Sequence, residues 1–239
     1  MDYTKENIRT LNTACGLTVD VTDIKQTDIR AYDIAWSLHN TIRYNGHAPV
    51  AWDVLSHTGL AYMLYVQDLK GQTDQKFSLA LLLHDAAETY VGDLVWALKH
   101  TDMGQEFNRF EKYVRQVIYS RFNLNVDEVP WDLIERYDRQ AGAVEFHKFF
   151  PHLEGTVYAP HYQYQLERVP TLIKAKVADY IELLKHLAIN NGVQEVHQLF
   201  DLPEPLAGLV ANESRPPSQT TTGDVSGQTV NSEIEGLKL

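Results

Sequence analysis

Twelve residues, Phe77-Ser-Leu-Ala-Leu-Leu-Leu-His84-Asp85-Ala-Ala-Glu88, run through almost unbroken apolar side chains and end in an imidazole and two carboxylates. A segment this apolar belongs inside a protein. Ionisable groups in such a place are costly unless they are hydrogen-bonded, paired or bound to a metal. His84 and Asp85 therefore require partners, and the fold must bring those partners from elsewhere in the chain.

The 239 residues are 44% apolar, enough for one large core. Periodicity predicts a mainly α fold: an N-terminal arm over 1–26, a helical domain over 27–210 and a polar tail over 211–239 that cannot bury enough to order itself. The arm alternates weakly at Leu17-Thr-Val-Asp-Val21 and suits an extended segment. A helix is expected from Thr27, closing at the turn-rich Arg43-Tyr44-Asn45-Gly46-His47. A second, with Pro49 in its first turn, carries Trp52, Leu55, His57, Leu60 and Leu64 as far as Gly71. A third, from about Asp74 to Tyr90, carries the apolar run and stops at Gly92. Further helices are expected over 104–122, 127–150, 171–190 and 193–200. The stretch from Gly155 to Pro170, with several tyrosines, suits a lid or binding loop.

Charge and cysteine content exclude several classes. Lysine and arginine number 21 against 32 acids, a net charge of −11, which argues against nucleic acid polymers and anionic membranes as partners. Cys15 is the sole cysteine, so neither a disulfide framework nor a cysteine zinc site can form within the chain. No signal segment or membrane span is apparent, and a soluble, cytoplasmic protein is expected.

Catalytic divalent metals take imidazoles and carboxylates and keep a position open for water or substrate. His57, the His84-Asp85 pair and Asp138, in Glu135-Arg-Tyr-Asp138, are the helical candidates. Adjacent helical residues differ by roughly 100° in direction, so His84 and Asp85 can share a metal only at a seam between helices. Glu88, at i+4 from His84, lies on the same helix face, where it can exchange a proton with an activated water.

These residues resemble the HD-domain phosphohydrolases, whose metal site combines a helical His, a His-Asp doublet and a distant Asp. His84-Asp85-Ala86-Ala87-Glu88 followed by Val91-Gly92-Asp93-Leu94 is similar to the signature of the deoxynucleotide-hydrolysing branch. Val54-Leu-Ser-His57-Thr resembles the segment of the first ligand, and Arg43-Tyr44-Asn45-Gly46-His47 the Arg-aromatic element that faces phosphate and base. The resemblance covers roughly Ile29 to Phe150. It implies an HD-type helical bundle holding one divalent metal (Zn, Co or Mn) on His57, His84, Asp85 and Asp138, with Glu88 acting on the attacking water. It further implies that Arg43 neutralises phosphate, that Asp93 approaches the deoxyribose hydroxyl, and that the protein is a homo-oligomer.

The compact spacing from Asp85 to Asp138 resembles the small phage dNTP triphosphohydrolases, so a dATP-type triphosphohydrolase is expected, in the host cytoplasm if phage-encoded. The alternatives are a 5′-deoxyribonucleotidase acting on dNMPs and a non-catalytic nucleotide-binding module. Several residues carry a plain reading beside the functional one. Arg43 could pair with an acid, Tyr44 could belong to the core, and His47 could cap the turn before Pro49. Lys99 reads first as a solvated lysine and second as a phosphate contact.

Overall fold

The computed structural model describes residues 9–153, 167–202 and 207–208. It is mainly α: α1 (Ala31–Asn40), α2 (Val54–Asp68), α3 (Gln75–Leu82), α4 (Glu88–Val91), α5 (Trp96–Lys99), α6 (Asp102–Arg121), α7 (Trp131–Phe149), α8 (Val177–Asn190) and α9 (Val196–Leu199). Among the described residues, no helix is long and apolar enough to cross a membrane.

The N-terminal segment is a hairpin, β1 (Thr10–Asn12) against antiparallel β2 (Thr18–Asp20), with Leu11 opposite Val19. Gly16, at φ +81°, turns the chain between the strands. Asp33 of α1 accepts the backbone N–H of Cys15 at 2.7 Å and pins that turn to the helix, while Val19 enters the core.

α1 buries Ala31, Ile34, Ala35 and Leu38, an i, i+3, i+4, i+7 stripe facing the bundle. It begins four residues later than Thr27, because Gln26–Asp28 is a separate 3₁₀ turn and Arg30 is extended. Nor does the second helix begin near Pro49. Asp53 caps it, accepting the N–H of Ser56 at 2.7 Å, and Pro49 lies in the preceding loop. α2 is buried on most of its circumference, which marks it as the central helix. It ends where Lys70 and Gly71 turn left-handed. α7 lies along α2, and α8 packs on α1 and α3.

The expected continuous helix from Asp74 to Tyr90 is broken. Asp74 caps its start, accepting the N–H of Phe77 at 2.6 Å, but regular α structure stops at Leu82. Residues 83–88 proceed by tighter i→i−3 bonds: His84 N to Leu81 O, Ala86 N to Leu83 O and Glu88 N to Asp85 O. Such an end buried in the core must satisfy its carbonyls. Tyr119 donates to Ala80 O at 2.8 Å, His84 Nδ1 to Leu81 O at 2.8 Å, and Tyr180 to Leu82 O at 2.7 Å. Three side chains from three elements thus cap α3 in the interior. The i+4 relation that sequence assigns to His84 and Glu88 therefore does not hold as α-helical geometry, although Glu88 does open α4 one short segment later.

Helical spans elsewhere are trimmed rather than moved. The helix expected over 127–150 is a 3₁₀ turn, Val126–Glu128, followed by α7. The helix expected over 171–190 starts at Val177, since residues 172–176 form no regular element and Lys176 is extended. Gly104 near the start of α6 is required by packing: a Cβ there would overlap the Leu98 and Lys99 carbonyls. Most of the expected loop from Gly155 to Pro170, and all of the 211–239 tail, lie outside the described residues.

Candidate metal centre

His57, His84 and Asp85 come together as a group whose candidate ligand atoms all lie within 4.8 Å of one another. α2 supplies His57 from its first turns, and the tight segment after α3 supplies His84 and Asp85. This meets the requirement that two adjacent residues converge at a seam, and it does so because the chain has left the α-helical path.

Each imidazole has its Nδ1 held by the protein; Nε2 of His84 turns toward Asp85, and Nε2 of His57 lies between Asp138 and Asp85. The Leu81 carbonyl can only accept, so His84 Nδ1 carries the proton it donates there. His84 Nε2 then lies 3.1 Å from Asp85 Oδ2, close enough for an ion pair but with no hydrogen bond of its own, an unsatisfied polar atom in a buried side chain. His57 Nε2 lies 3.9 Å from the same Asp85 oxygen. The unsatisfied His84 nitrogen, the nearby carboxylate and the two rings, each held at Nδ1 by a protein acceptor, fit a divalent metal in chemistry and in orientation.

Asp138 approaches from α7, with Oδ1 at 2.8 Å from His57 Nε2, but stands outside the three-residue group. Its side chain is 43% exposed, against 0% for His57, so it borders the opening of the site.

Glu145, unremarked in the sequence, is the most heavily engaged carboxylate of the site. It is fully buried on α7, two turns beyond Asp138. Its Oε1 accepts from His57 Nδ1 at 2.7 Å and Trp52 Nε1 at 2.8 Å. Oε2 accepts from Arg43 Nε and from the Tyr44 hydroxyl, both at 3.1 Å. A signal existed: Glu145 interrupts the small and apolar run Ala141-Gly-Ala-Val144 at heptad spacing from Asp138.

Electrostatics follow this arrangement. Burial favours the neutral form of Glu145, but Arg43 and His57 outweigh it and hold the carboxyl down at about 2. Burial and Arg43 act to lower His57, yet Glu145 and Asp138 raise it to about 10, so without a metal its ring is a cation bridging two carboxylates. Burial also opposes the ionised form of Asp85, but His84 and His57 hold it well below the ordinary carboxylate range.

Glu88 has the opposite balance. Burial, then Asp85 and Asp93, push its carboxyl well above the ordinary value, and Lys99 offsets them only in part. Lys99 Nζ stands 3.5 Å from Glu88 and 3.6 Å from Glu111, a second buried acid that the sequence did not single out, itself paired with Arg115. Lys99 is thus not the freely solvated lysine of the first reading.

The remaining candidates divide. Arg43 takes the acid-pairing role through Nε and also lies in the field of Asp85 and Asp138, so it faces the site. Tyr44 packs edge-on to Phe149 and Phe150, with ring centroids 5.9 and 5.5 Å apart, while its hydroxyl turns to Glu145. Tyr44, Asn45 and Gly46 are successive left-handed residues, a strained turn that the Glu145 contacts and the Arg43 N to Trp52 O bond hold in place. His47 is exposed at its end, donating its backbone N–H to Tyr44 O, as expected of a residue that closes the turn. Burial, and to a lesser degree Asp85, push the Asp93 carboxyl above its ordinary value, while Arg43 and Lys99 act to lower it.

The chain matches no family model. It is 32% identical over 101 residues to the uncharacterized protein YfdR of Escherichia coli, a match covering 42% of this chain and 51% of that protein. It is 30% identical over 111 residues to an uncharacterized protein of Rhodobacter capsulatus, covering 46% of this chain and 56% of that protein. The chain spans about half the length of the curated relatives it matches.

Proposed function

We propose that this chain is a divalent-metal-dependent phosphohydrolase of the HD type acting on deoxyribonucleotides. The observation that carries this reading is the pair of imidazoles, each oriented by a protein partner at Nδ1, whose Nε2 atoms lie 3.9 and 3.1 Å from one half-buried carboxylate, that of Asp85. His57, His84 and Asp85 would hold the ion, and Asp138 would join them from α7. A divalent ion held there supplies Lewis acidity toward a phosphoryl oxygen and a nucleophile at neutral pH.

The chain's own residues do the rest. Glu88, raised by burial, is a stronger base than an exposed carboxylate and suits proton exchange with water at its carboxylate oxygens. Arg43, fixed through Nε, places a guanidinium charge at the opening for phosphate. Asp93 offers an acceptor for a sugar hydroxyl at the same opening, and the Tyr44 to His47 turn borders it. Lys99 adds a second cation behind Glu88.

The resemblance of the Asp85 to Asp138 spacing to that of the small phage triphosphohydrolases favours a dNTP, of the dATP type, as substrate. A specific observation favours a dNMP as the second reading. Arg43 is bound to Glu145 and Lys99 stands between Glu88 and Glu111, so little positive charge is left for a triphosphate.

Metal-reconstituted protein incubated with a panel of dNTPs and dNMPs, with phosphate, pyrophosphate and triphosphate resolved, tests both. Release of triphosphate supports the first reading and release of phosphate from dNMPs the second. No release with Zn, Co or Mn sinks the enzyme reading, and nucleotide binding without release would make the chain a non-catalytic module.

A further inference from the structure

Glu145 divides its two oxygens between two parts of the protein. Oε1 takes His57 Nδ1 and Trp52 Nε1; Oε2 takes Arg43 Nε and the Tyr44 hydroxyl. All four partners are donors, so a single acceptor group fills the space between the α2 imidazole and the loop from Arg43 to Trp52. The loop is packed as well, through Tyr44 on Phe149 and Phe150 and through Trp52 on Phe149. Its neck is an isolated antiparallel bridge, Ile42 to Asp53, and its turn passes through three left-handed residues. Left-handed conformations in Tyr44 and Asn45 persist only where surrounding contacts hold them.

We infer that Glu145 is a positioning residue that couples occupancy of the metal centre to the conformation of the Arg43–Trp52 loop. The inference rests on the metal-centre reading above, and not on hydrolysis. A divalent ion held by His57 would draw electron density from the ring and so strengthen the Nδ1–H bond to Oε1. The carboxylate is then fixed more firmly, and Oε2 fixes Arg43 and Tyr44 in turn. Coupling is reciprocal: if the ion orders the loop, the ordered loop favours the ion.

The geometry also explains why glutamine is not an equivalent. An amide presents one acceptor oxygen and one NH₂ group, so one of the two donor pairs must face another donor. Arg43 can only donate, so Glu145→Gln breaks either the loop anchor or the support of His57.

The test uses the full chain and Co²⁺ alone. Amide exchange is followed at Arg43 and His47, whose N–H groups donate to Trp52 O and Tyr44 O within the loop. Co²⁺ binding is read by its visible absorption. In the wild type, saturating Co²⁺ is expected to slow exchange at these two amides by about fivefold or more. In Glu145→Gln, Co²⁺ affinity is expected to fall by about 10- to 100-fold, and saturating Co²⁺ should no longer slow the loop.

Unchanged loop exchange in the wild type, or equal slowing in Glu145→Gln, overturns the coupling while leaving the metal centre intact. Absence of Co²⁺ binding to the wild type overturns both. If Glu145→Gln does not fold by circular dichroism, the wild-type measurement decides alone.

Discussion

His84 Nδ1 donates to the Leu81 carbonyl oxygen at 2.8 Å, so one hydrogen bond both caps α3 and selects the ring nitrogen left for a metal. Fold and site share that atom. His84→Ala is therefore expected to abolish high-affinity Co²⁺ or Zn²⁺ binding and to lower stability at the same time. Asp138→Asn is expected to weaken binding by a smaller factor, because Asp138 stands outside the three-residue group. Calorimetric titration of both variants checks the order, and a larger loss in Asp138→Asn would reverse the assignment of ligands.

Glu88→Gln is expected to retain the metal and lose turnover by about 10²- to 10⁴-fold, the range of general acid–base catalysis. It should also raise the melting temperature of the metal-free protein. The sign follows from its carboxyl being raised above 4.5 in the fold. Below pH 4.5 the group is protonated in both folded and unfolded chains and the variant gains nothing. As pH rises above 4.5 the unfolded chain releases the proton while the fold resists ionisation, so wild-type stability falls relative to the amide. Thermal melts at pH 4 and pH 7 separate the cases; an equal difference at both would reject this account.

Tyr180→Phe removes the donor to Leu82 O, leaving a buried carbonyl unpaired at a cost of about 1–3 kcal/mol. For a chain of this size each kcal/mol lowers the melting temperature by about 2–4 °C. The Tyr180 hydroxyl donates to a backbone carbonyl and not to a proposed ligand, so any accompanying loss of metal affinity measures how far the end of α3 positions His84. Melting and Co²⁺ titration of this variant provide both numbers.

Cys15 is shielded by the hairpin. Burial, then Asp33, push its thiol well above the ordinary value, which lowers the thiolate fraction. Alkylation by iodoacetamide at pH 8 is expected to be at least about tenfold slower in the folded chain than in urea, a tenfold loss of thiolate for each unit raised. Equal rates would show that the turn opens freely.

Much of the helical order was legible because it rests on local signals. The Ala31, Ile34, Ala35, Leu38 stripe and the long amphipathic α6 announce themselves by period alone. Boundaries were less legible. Pro49 satisfies the rule for a first helical turn, yet Asp53 is the working cap, because the bridge between Ile42 and Asp53 fixes where α2 begins.

The site shows the same division. The apolar run ending in His84-Asp85 and the chemistry of His57 and Asp138 pointed to a metal. Glu145 did not stand out, because a glutamate on a helix is ordinarily solvated and its four donors come from positions 88 to 102 residues away. Lys99 on α5 likewise gained its carboxylate partners only when Glu88 of α4 and Glu111 of α6 were placed beside it.

By itself the sequence determined a helical chain with a His-Asp doublet at the end of a buried apolar run, since apolar pattern and residue chemistry are local properties. Tertiary structure decided that α3 ends before the doublet. Its terminal carbonyls are satisfied by Tyr119, His84 and Tyr180, and only side chains arriving from α6 and α8 could make that interior ending affordable. The run from Phe77 to Glu88 is therefore a helix followed by a tight turn, and the turn is what lets two adjacent residues face one point.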